Sequence, residues 1–316
     1  MDTSSLEFTK KEHGILVKQV NNSSTWSLSR MSLYKLCRKG FFFRYCAEPT
    51  QELSRLKKLL GLALWKNILL KDAIVENMRF SKILDPGDRI REIESEVLKR
   101  FHMGWNNFIA AKRHVEDGRN LTEIFYNNDN SLLSTIFRRM EDSLKSTMLK
   151  LGDCELIINL LETRYLNFKD FKSPDSFLLG GITVWVSPDL VWQDKDGNLN
   201  LLKFHFGSPE ENPRWDIQNG VYALYGSEQF KVSLGRLGAV SVFFPEDDSP
   251  PLTVHAYRNI REVREIIASE SAELEKFQKD PVLNDEIFSS DSARCRNCEF
   301  RRLCEKDFCP KSKNLL

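Results

Sequence analysis

The spacing of apolar residues predicts that the first half of the chain is mainly helical. Between residues 51 and 168, leucine and isoleucine recur at intervals of three and four, which places them on one face of a helix. The clearest run is Leu53, Leu56, Leu60, Leu64 and Ile68. Residues 132–151 and 155–165 repeat the pattern. A further helix is predicted over residues 29–45, where it would bury a run of three phenylalanines.

Beyond residue 172 the pattern becomes typical of strands. Residues 177–192 are rich in β-branched and aromatic side chains, which favours extended structure. Asp196-Gly197 is a strong turn signal, so we expect a hairpin whose second strand covers residues 199–206.

The rest of the chain alternates between helices and strands. After the hairpin, the predicted elements are a helix over 214–229, strands over 239–244 and 252–257, and a charged helix over 259–279. This order predicts an α/β fold with a central mixed sheet flanked by helices and a helical insertion before the hairpin. The corresponding division of the chain is 1–50, a helical region 51–170, a sheet core 171–285 and a cysteine-rich tail 286–316.

Composition gives only general limits. The chain has 316 residues, 41% of them hydrophobic, and 46 basic against 45 acidic residues give a net charge of +1. This is an ordinary globular balance that does not by itself indicate a nucleic-acid partner. There is no apolar run long enough to span a membrane, and the amino terminus lacks the apolar segment of a signal peptide. A cytoplasmic location without membrane association is therefore expected.

Cysteine usage indicates a metal site. The seven cysteines are Cys37, Cys46, Cys154, Cys295, Cys298, Cys304 and Cys309. An odd number without signs of export argues against a disulfide framework. Four of the seven fall within the fifteen residues from 295 to 309, and three thiolates at such spacing converge easily on one metal centre.

The hairpin region resembles a known family. Residues 186–207 are similar to the core of RecB-like nucleases of the PD-(D/E)XK superfamily, in which an acid on one strand is followed by a hairpin and Asp-X-Lys-(Thr)-Gly. Asp189 matches the first acid, and Gly207 matches the closing glycine. Lys203 falls where the family has its second acid, and His205 falls where it has the catalytic lysine.

Three further elements extend the resemblance over roughly residues 29–304. Gln218 and Tyr222 match the family's Gln-X-X-X-Tyr motif. Residues 29–37 resemble its amino-terminal cysteine helix. The spacing of the tail cysteines matches that of the CRISPR-associated exonucleases and of the AddB helicase–nuclease subunit: Cys295, Cys298 and Cys304.

The resemblance implies an active site that has lost most of its catalytic residues. Family members hold a divalent cation with carboxylates, whereas a lysine ammonium offers only donors. The family's upstream histidine position holds Trp65. Residues 203 and 205 share one face of a strand, so we expect Lys203 to pair with Asp189 where the metal would lie. The alternatives are that Asp189 is a strand-end turn residue, His205 an ordinary sheet histidine, and the Gln-X-X-X-Tyr pair plain packing.

Three possibilities are open for the metal bound by the cysteines. The resemblance implies a [4Fe-4S] cluster whose ligands are Cys37, Cys295, Cys298 and Cys304. Zinc held locally by the tail cysteines, with Cys309 in place of Cys37, is the second possibility, and the absence of a metal is the third.

Basic residues crowd both cysteine segments. If a cluster joins the segments, their basic side chains form one patch that contacts phosphates: Arg38, Lys39, Arg296, Arg301 and Arg302. The alternative is that these basic residues only form a solvent-exposed surface without a ligand. We therefore predict a catalytically degenerate nuclease fold that binds nucleic acid, most simply DNA, or a partner protein in a DNA-processing, repair or antiviral-defence assembly.

Two other functions stay open. One is an active Mg²⁺- or Mn²⁺-dependent deoxyribonuclease whose carboxylates are displaced to Glu162, Asp194 or Asp196. The other is an interaction module without affinity for nucleic acid.

Overall fold

The fold is known from a computed structural model of the chain. It describes residues 11–12, 15–16, 24–58, 61–80, 85–113, 130–162, 168–170, 173–281, 298–300 and 303–304. The described helices are α1 (Leu28–Leu36), α2 (Arg38–Phe41), α3 (Gln51–Leu56), α4 (Leu62–Phe80), α5 (Pro86–Arg113), α6 (Asn130–Gly152), α7 (Glu155–Glu162), α8 (Trp215–Phe230) and α9 (Ile260–Lys279). A π-helical turn, Phe42–Cys46, follows α2, and a 3₁₀ turn, Leu234–Arg236, follows α8.

The described strands form two main sheets. They are β1 (Lys11–Glu12), β2 (Ile15–Leu16), β3 (Thr25–Trp26), β4 (Phe168–Asp170), β5 (Asp175–Leu179), β6 (Ile182–Val186), β7 (Leu190–Gln193), β8 (Leu199–His205), β9 (Leu237–Phe243) and β10 (Leu252–Val254). The larger sheet has the order β10-β9-β8-β7-β4, and only its β8–β9 pair is parallel. The smaller sheet has the order β3-β6-β5. The predicted α/β fold with a mixed sheet flanked by helices is confirmed.

Side chains of the central strands alternate between two hydrophobic cores. Leu201 and Ala239 point into the first core, which also contains residues of α1, α8 and α9. Leu202 and Val240 point the opposite way, into a second core built with α4, α5, α6 and α7. The central strands of the larger sheet are therefore buried on both faces, which explains why β7 begins with a continuous apolar run over residues 190–192 rather than with an alternation.

The helix predicted over residues 29–45 is interrupted. Cys37 has an extended backbone, with φ −158° and ψ 100°, and it separates α1 from α2. Its Sγ accepts a hydrogen bond from the Gly40 N–H over 3.3 Å and so caps α2. The periodic pattern continues through the break because both helices bury apolar residues, such as Tyr34 and Phe41, in the same core.

One other predicted helix is wrong, and the strand-rich segment after residue 172 is divided. The described members of the run from Leu53 to Ile68 belong to two helices, and Leu64 on the second is 53% exposed. Leu60 lies outside the described residues. Residues 177–192 contain a reversal at Gly180-Gly181, whose φ values of 55° and 86° suit glycine. The predicted turn at Asp196-Gly197 is confirmed, since it connects β7 to β8.

None of the described helices has the length and apolar character that crossing a bilayer requires.

Candidate active site and surrounding groove

The β7–β8 hairpin places Asp189 beside Lys203. Leu190 pairs with Leu202 across the hairpin, so the preceding and following residues face each other at its open end. The Asp189 N–H donates to the Leu202 carbonyl over 2.8 Å, which fixes this register. Lys203 Nζ lies 2.9 Å from Asp189 Oδ1, so the predicted ion pair is present.

Both carboxylate oxygens of Asp189 are already occupied. Oδ2 accepts a hydrogen bond from the Phe204 N–H over 2.9 Å, and Oδ1 accepts from Lys203. The ammonium also donates to the Ser187 carbonyl over 3.2 Å. Asp189 is only 3% exposed, and these donors offset the loss of its hydration. The arrangement does not fit Mg²⁺, which requires oxygen ligands and is repelled by an ammonium.

His205 is fixed by a chain of buried hydrogen bonds. The Asn219 amide donates to the Ala256 carbonyl, which leaves its Oδ1 to accept from the Ser241 hydroxyl over 2.9 Å. The Ser241 hydroxyl has one proton, so its oxygen accepts from His205 Nε2 over 3.2 Å. This assigns the proton of the neutral ring to Nε2 and makes Nδ1 a hydrogen-bond acceptor.

The His205 ring remains neutral over the physiological pH range. Burial and the nearby positive charge of Lys203 lower the pKa of His205 to about 3, against a smaller opposing effect of a hydrogen bond with Asn212. The ring stacks on Phe243 with centroids 4.5 Å apart. The position that holds a cationic lysine in the resembling nucleases therefore carries no charge here.

The other matched residues flank the pair. The Tyr222 hydroxyl donates to the Ser187 carbonyl over 2.9 Å, and burial raises the pKa of Tyr222 well above its ordinary value. Tyr222 therefore supports the strand that precedes Asp189. Gln218, one turn earlier on α8, lines the cavity beside the pair. Gly207 follows β8, and a Cβ added there would collide with the Glu211 carboxylate.

Two adjoining cavities of about 840 and 650 Å³ form a groove along this site. Leu28, Ser32, Lys203 and Gln218 line both cavities, so the groove continues past the ion pair and under α1. The charged residues of the first cavity are Lys35, Lys71, Asp189, Lys203, Glu211 and Arg214. The second cavity adds Arg30, Tyr45 and Trp185. The groove is thus a mixed basic and aromatic surface.

Trp65 does not reach the groove. Its ring lies 5.5 Å from that of Phe101, and a Cβ added at Gly104 would collide with it. Trp65 is therefore a packing residue of the helical region, and α4 instead presents other side chains to the groove: Leu64, Asn67, Ile68 and Lys71.

The described cysteines of the tail lie beside the first helices. Phe300 packs against Phe43 with ring centroids 5.7 Å apart and ring planes tilted by 39°, and Arg44 pairs with Glu299 over 2.5 Å. Cys298 and Cys304 pack against the first core. The tail is thereby attached to the π-helical turn that follows α2.

Three cysteines come together at this contact. Burial raises the pKa of the Cys298 thiol to about 12, and Cys37 and Cys304 are near enough to add smaller effects in the same direction. Within the described ranges, no group of three or more His, Cys, Asp or Glu side chains is arranged to hold a metal ion. Cys295 and Cys309 lie outside those ranges, so the full predicted ligand set is not described.

The predicted phosphate-contacting residues differ in exposure. Arg38 is about half exposed, lies over the Tyr34 ring and is 3.9 Å from Glu273. Lys39 is 1% exposed, with Nζ 5.7 Å from the Phe43 ring, so its burial does not suit the predicted phosphate contact. The other three lie outside the described residues: Arg296, Arg301 and Arg302.

The alternative carboxylates lie away from Asp189. Asp194 and Asp196 belong to the turn at the far end of β7, where Asp194 Oδ1 accepts from the Asp196 and Asn198 N–H groups. The four residues of β7 lie between this turn and Asp189. Because a strand rises by about 3.3 Å per residue, the turn is well separated from Asp189. Glu162 is exposed at the end of α7. These carboxylates do not line either cavity.

Sequence reasoning missed a buried acid beside the groove. Glu270 on α9 is 6% exposed and accepts hydrogen bonds from Trp26, Lys35 and Arg214. Its signal in the sequence is its position in the apolar stripe of an otherwise charged helix: Val263, Ile267, Glu270, Leu274 and Phe277. A charge in such a stripe indicates a buried partner, as found here.

Comparisons with known proteins identify the family. A model of the PD-(D/E)XK nuclease superfamily matches residues 25–305. A search of curated proteins gives no match. One similar solved structure is described as "Crystal structure of SSO0001"; it is 14% identical, with 78% of this chain and 98% of that chain covered and a TM-score of 0.29, which is too low to support an argument. Because the superfamily match spans nearly the whole chain, this protein belongs to the PD-(D/E)XK nuclease superfamily.

Proposed function

We propose that this chain is a catalytically degenerate, RecB-like member of its superfamily that binds nucleic acid in the groove without cutting it. The observation that carries the proposal is the Asp189–Lys203 ion pair. The Lys203 ammonium stands where a metal-ligating carboxylate is expected, and both oxygens of Asp189 are engaged by N–H donors. A metal-dependent cleavage step therefore has no ligand set at this position.

Charge and aromatic content support nucleic acid as the ligand. The first cavity is lined by four cations and two carboxylates. The second adds Arg30, with no carboxylate among the described residues that line it. Cations provide contacts to phosphate oxygens, and the exposed ring of Trp185 provides a surface on which a base can stack.

Binding and cleavage are tested together on single-stranded and duplex DNA. We expect no cleavage with Mg²⁺ or Mn²⁺, and binding whose affinity falls steeply with salt concentration. Metal-dependent cleavage that is lost in Asp189→Ala would support the active-nuclease alternative instead. Absence of binding at every salt concentration would favour an interaction module.

We also propose that Cys37, Cys295, Cys298 and Cys304 hold a [4Fe-4S] cluster. The support is the docking of the tail against the π-helical turn, together with the proximity of three of these cysteines. Four cysteine ligands suit such a cluster, which would tie α1 to the tail. Iron and zinc contents of anaerobically purified protein, with its visible spectrum, distinguish this cluster from zinc bound with Cys309.

The proposed setting is a cytoplasmic nucleic-acid-processing assembly, in repair or antiviral defence, in which a partner protein performs the catalysis. The support is the fold of a nuclease combined with a site unsuited to metal-dependent cleavage. Affinity purification of the tagged protein from its own cells tests this proposal. Recovery of an active nuclease or helicase subunit is expected, and recovery of the protein alone would contradict it.

A further inference from the structure

We propose that Arg214 and Lys35 form a phosphate-binding subsite at one side of the groove, and that Glu270 is the residue that positions both cations. The proposal deepens the proposed function and rests on it, because the phosphate would be supplied by a nucleic-acid backbone. The ligand is defined by its chemistry, a phosphate ester, rather than by its sequence.

Glu270 joins three elements at the edge of the first cavity. Arg214, the residue before α8, places Nη2 2.7 Å from both carboxylate oxygens. Lys35 of α1 donates to Oε1 over 2.6 Å, and the Trp26 indole donates to Oε2 over 3.0 Å. Four hydrogen bonds to one buried carboxylate hold the two cations at defined positions.

The cluster carries an excess of positive charge. Burial alone would raise the pKa of Glu270, but the hydrogen bonds from Arg214 and Lys35 outweigh it and lower the pKa, so the carboxylate is ionised. Two cations therefore share one negative charge. Both line the 840 Å³ cavity, whose two described acids are Asp189, held by Lys203, and Glu211, bonded to a backbone N–H.

Glu270 leaves part of the Arg214 guanidinium without a partner. Its Nη1 is buried and has no hydrogen-bond partner, while Nη2 is used by Glu270. A guanidinium presents its N–H groups as a rigid fork that matches phosphate oxygens, and a buried donor without a partner is unfavourable. Arg214 also stands at the amino-terminal end of the sixteen-residue helix α8, where the helix dipole favours an anion.

Neighbouring side chains suit a nucleotide better than a simple anion. Leu33, Leu36 and Trp215 line the same cavity next to the cations. Apolar and aromatic surface beside a phosphate site offers contacts to sugar and base. The subsite is therefore expected to bind a phosphate within a polynucleotide more tightly than it binds inorganic phosphate.

The test compares binding of labelled single-stranded and duplex oligonucleotides over a salt series. Arg214→Gln is expected to weaken binding roughly tenfold to a hundredfold and to lower the salt slope by about one. Arg214→Lys, which keeps the charge but loses the fork, should fall between Arg214→Gln and the wild type. Arg258→Gln is the matched control, because Arg258 pairs with Asp216 at the same end of α8 but does not line the groove.

Glu270→Gln separates positioning from simple charge. The substitution makes the protein more positive, so a purely electrostatic effect would strengthen binding. Loss of positioning instead weakens binding, and this is the expected result. Circular dichroism and thermal unfolding verify that each variant is folded. If Glu270→Gln does not fold, the comparison of Arg214→Gln with Arg214→Lys and the control still decides.

The outcomes distinguish this inference from the proposed function. Unchanged affinity and slope in Arg214→Gln, with clear binding by the wild type, overturn the subsite and leave nucleic-acid binding intact. Thermal stabilisation by inorganic phosphate that disappears in Arg214→Gln, without oligonucleotide binding, supports the subsite and rejects the proposed function. If neither probe binds, both proposals are overturned.

Discussion

At the scale of single residues, the site is governed by one buried ion pair. Asp189 and Lys203 satisfy each other where the superfamily is expected to hold a cation. Breaking such a pair costs about 3–5 kcal/mol because the remaining charge stays buried. The pair therefore couples the loss of metal binding to the stability of the sheet.

Lys203→Glu should make stability dependent on a divalent cation. The variant places a second carboxylate beside Asp189, so we expect a loss of about 3–5 kcal/mol in a chelator. Mg²⁺ or Mn²⁺ should restore much of it by bridging the two carboxylates. The measurement is thermal unfolding with and without the metal. Lys203→Met removes the ammonium without adding a ligand, and equal rescue of that variant would contradict the prediction.

His205 should make the protein sensitive to acid. Its pKa is about 3 in the folded protein against an ordinary 6.5, so the unfolded chain binds the extra proton between these values. The free energy of unfolding therefore falls as pH decreases through this window, by about 1.4 kcal/mol per pH unit. Above pH 6.5 the ring is neutral in the folded and the unfolded chain, so the stability that is lost at lower pH is fully present.

The pH effect is measured as the difference between wild type and His205→Gln, which retains a donor towards Ser241. Chemical denaturation at pH 7, 6, 5 and 4 should show a shallower decline for the variant. His255→Gln, at an exposed position, is the matched control. Parallel curves for wild type and His205→Gln would show that protonation of this ring does not limit stability.

Residue spacing predicted contacts within the sheet better than contacts of the helices. The Asp189–Lys203 pair follows from a two-residue period and a hairpin register, both of which are local. Lys39 and Trp65 were misplaced because the direction in which a helix faces depends on its packing partners. Lys39 is buried because the break at Cys37 turns α2 into the core. Glu270 was missed because its partners are distant in sequence.

At the scale of elements, the break between α1 and α2 lies at Cys37, and this one residue combines a structural role with a chemical one. The Cys37 sulfur caps α2 and lies near the tail cysteines. A serine hydroxyl also caps helices well, so Cys37→Ser separates the two roles. If Cys37 is a cluster ligand, the variant should lose most of its iron while α2 keeps its cap.

Iron per protein and the visible spectrum test this prediction. Cys154→Ser is the matched control, because Cys154 is a buried cysteine of the other core. It should retain iron, whatever its effect on stability. Full iron content in Cys37→Ser would remove this cysteine from the ligand set.

Strand boundaries were predictable where a turn has its own chemistry. Asp196-Gly197 marked its hairpin because Gly197 adopts a φ of 79°, which few other residues tolerate. The reversal at Gly180-Gly181 was overlooked because strongly β-forming residues surround it. The prediction of one helix through Leu53 and Leu64 was wrong because periodicity alone does not show where a helix ends.

At the scale of the whole molecule, the two cores share one sheet. The predicted boundary near residue 170 divides helices α4–α7 from the sheet face that they cover. Lys66 of α4 pairs with Glu246, and Lys150 of α6 donates to the Pro245 carbonyl over 2.6 Å. Both lysines are buried and join the helical region to the segment after β9. The arrangement favours unfolding as one cooperative unit.

Leu201 and Leu202 test this cooperativity because they are adjacent, fully buried and directed into different cores. Leu201→Ala and Leu202→Ala should each lower the free energy of unfolding by about 2–5 kcal/mol. If the sheet couples the cores, calorimetry should show one transition that both substitutions move to lower temperature. Independent domains would instead give two transitions, of which each substitution moves only one. That result would show that the helical region folds separately, and the groove between α1, α4 and β8 would then be an interface between domains.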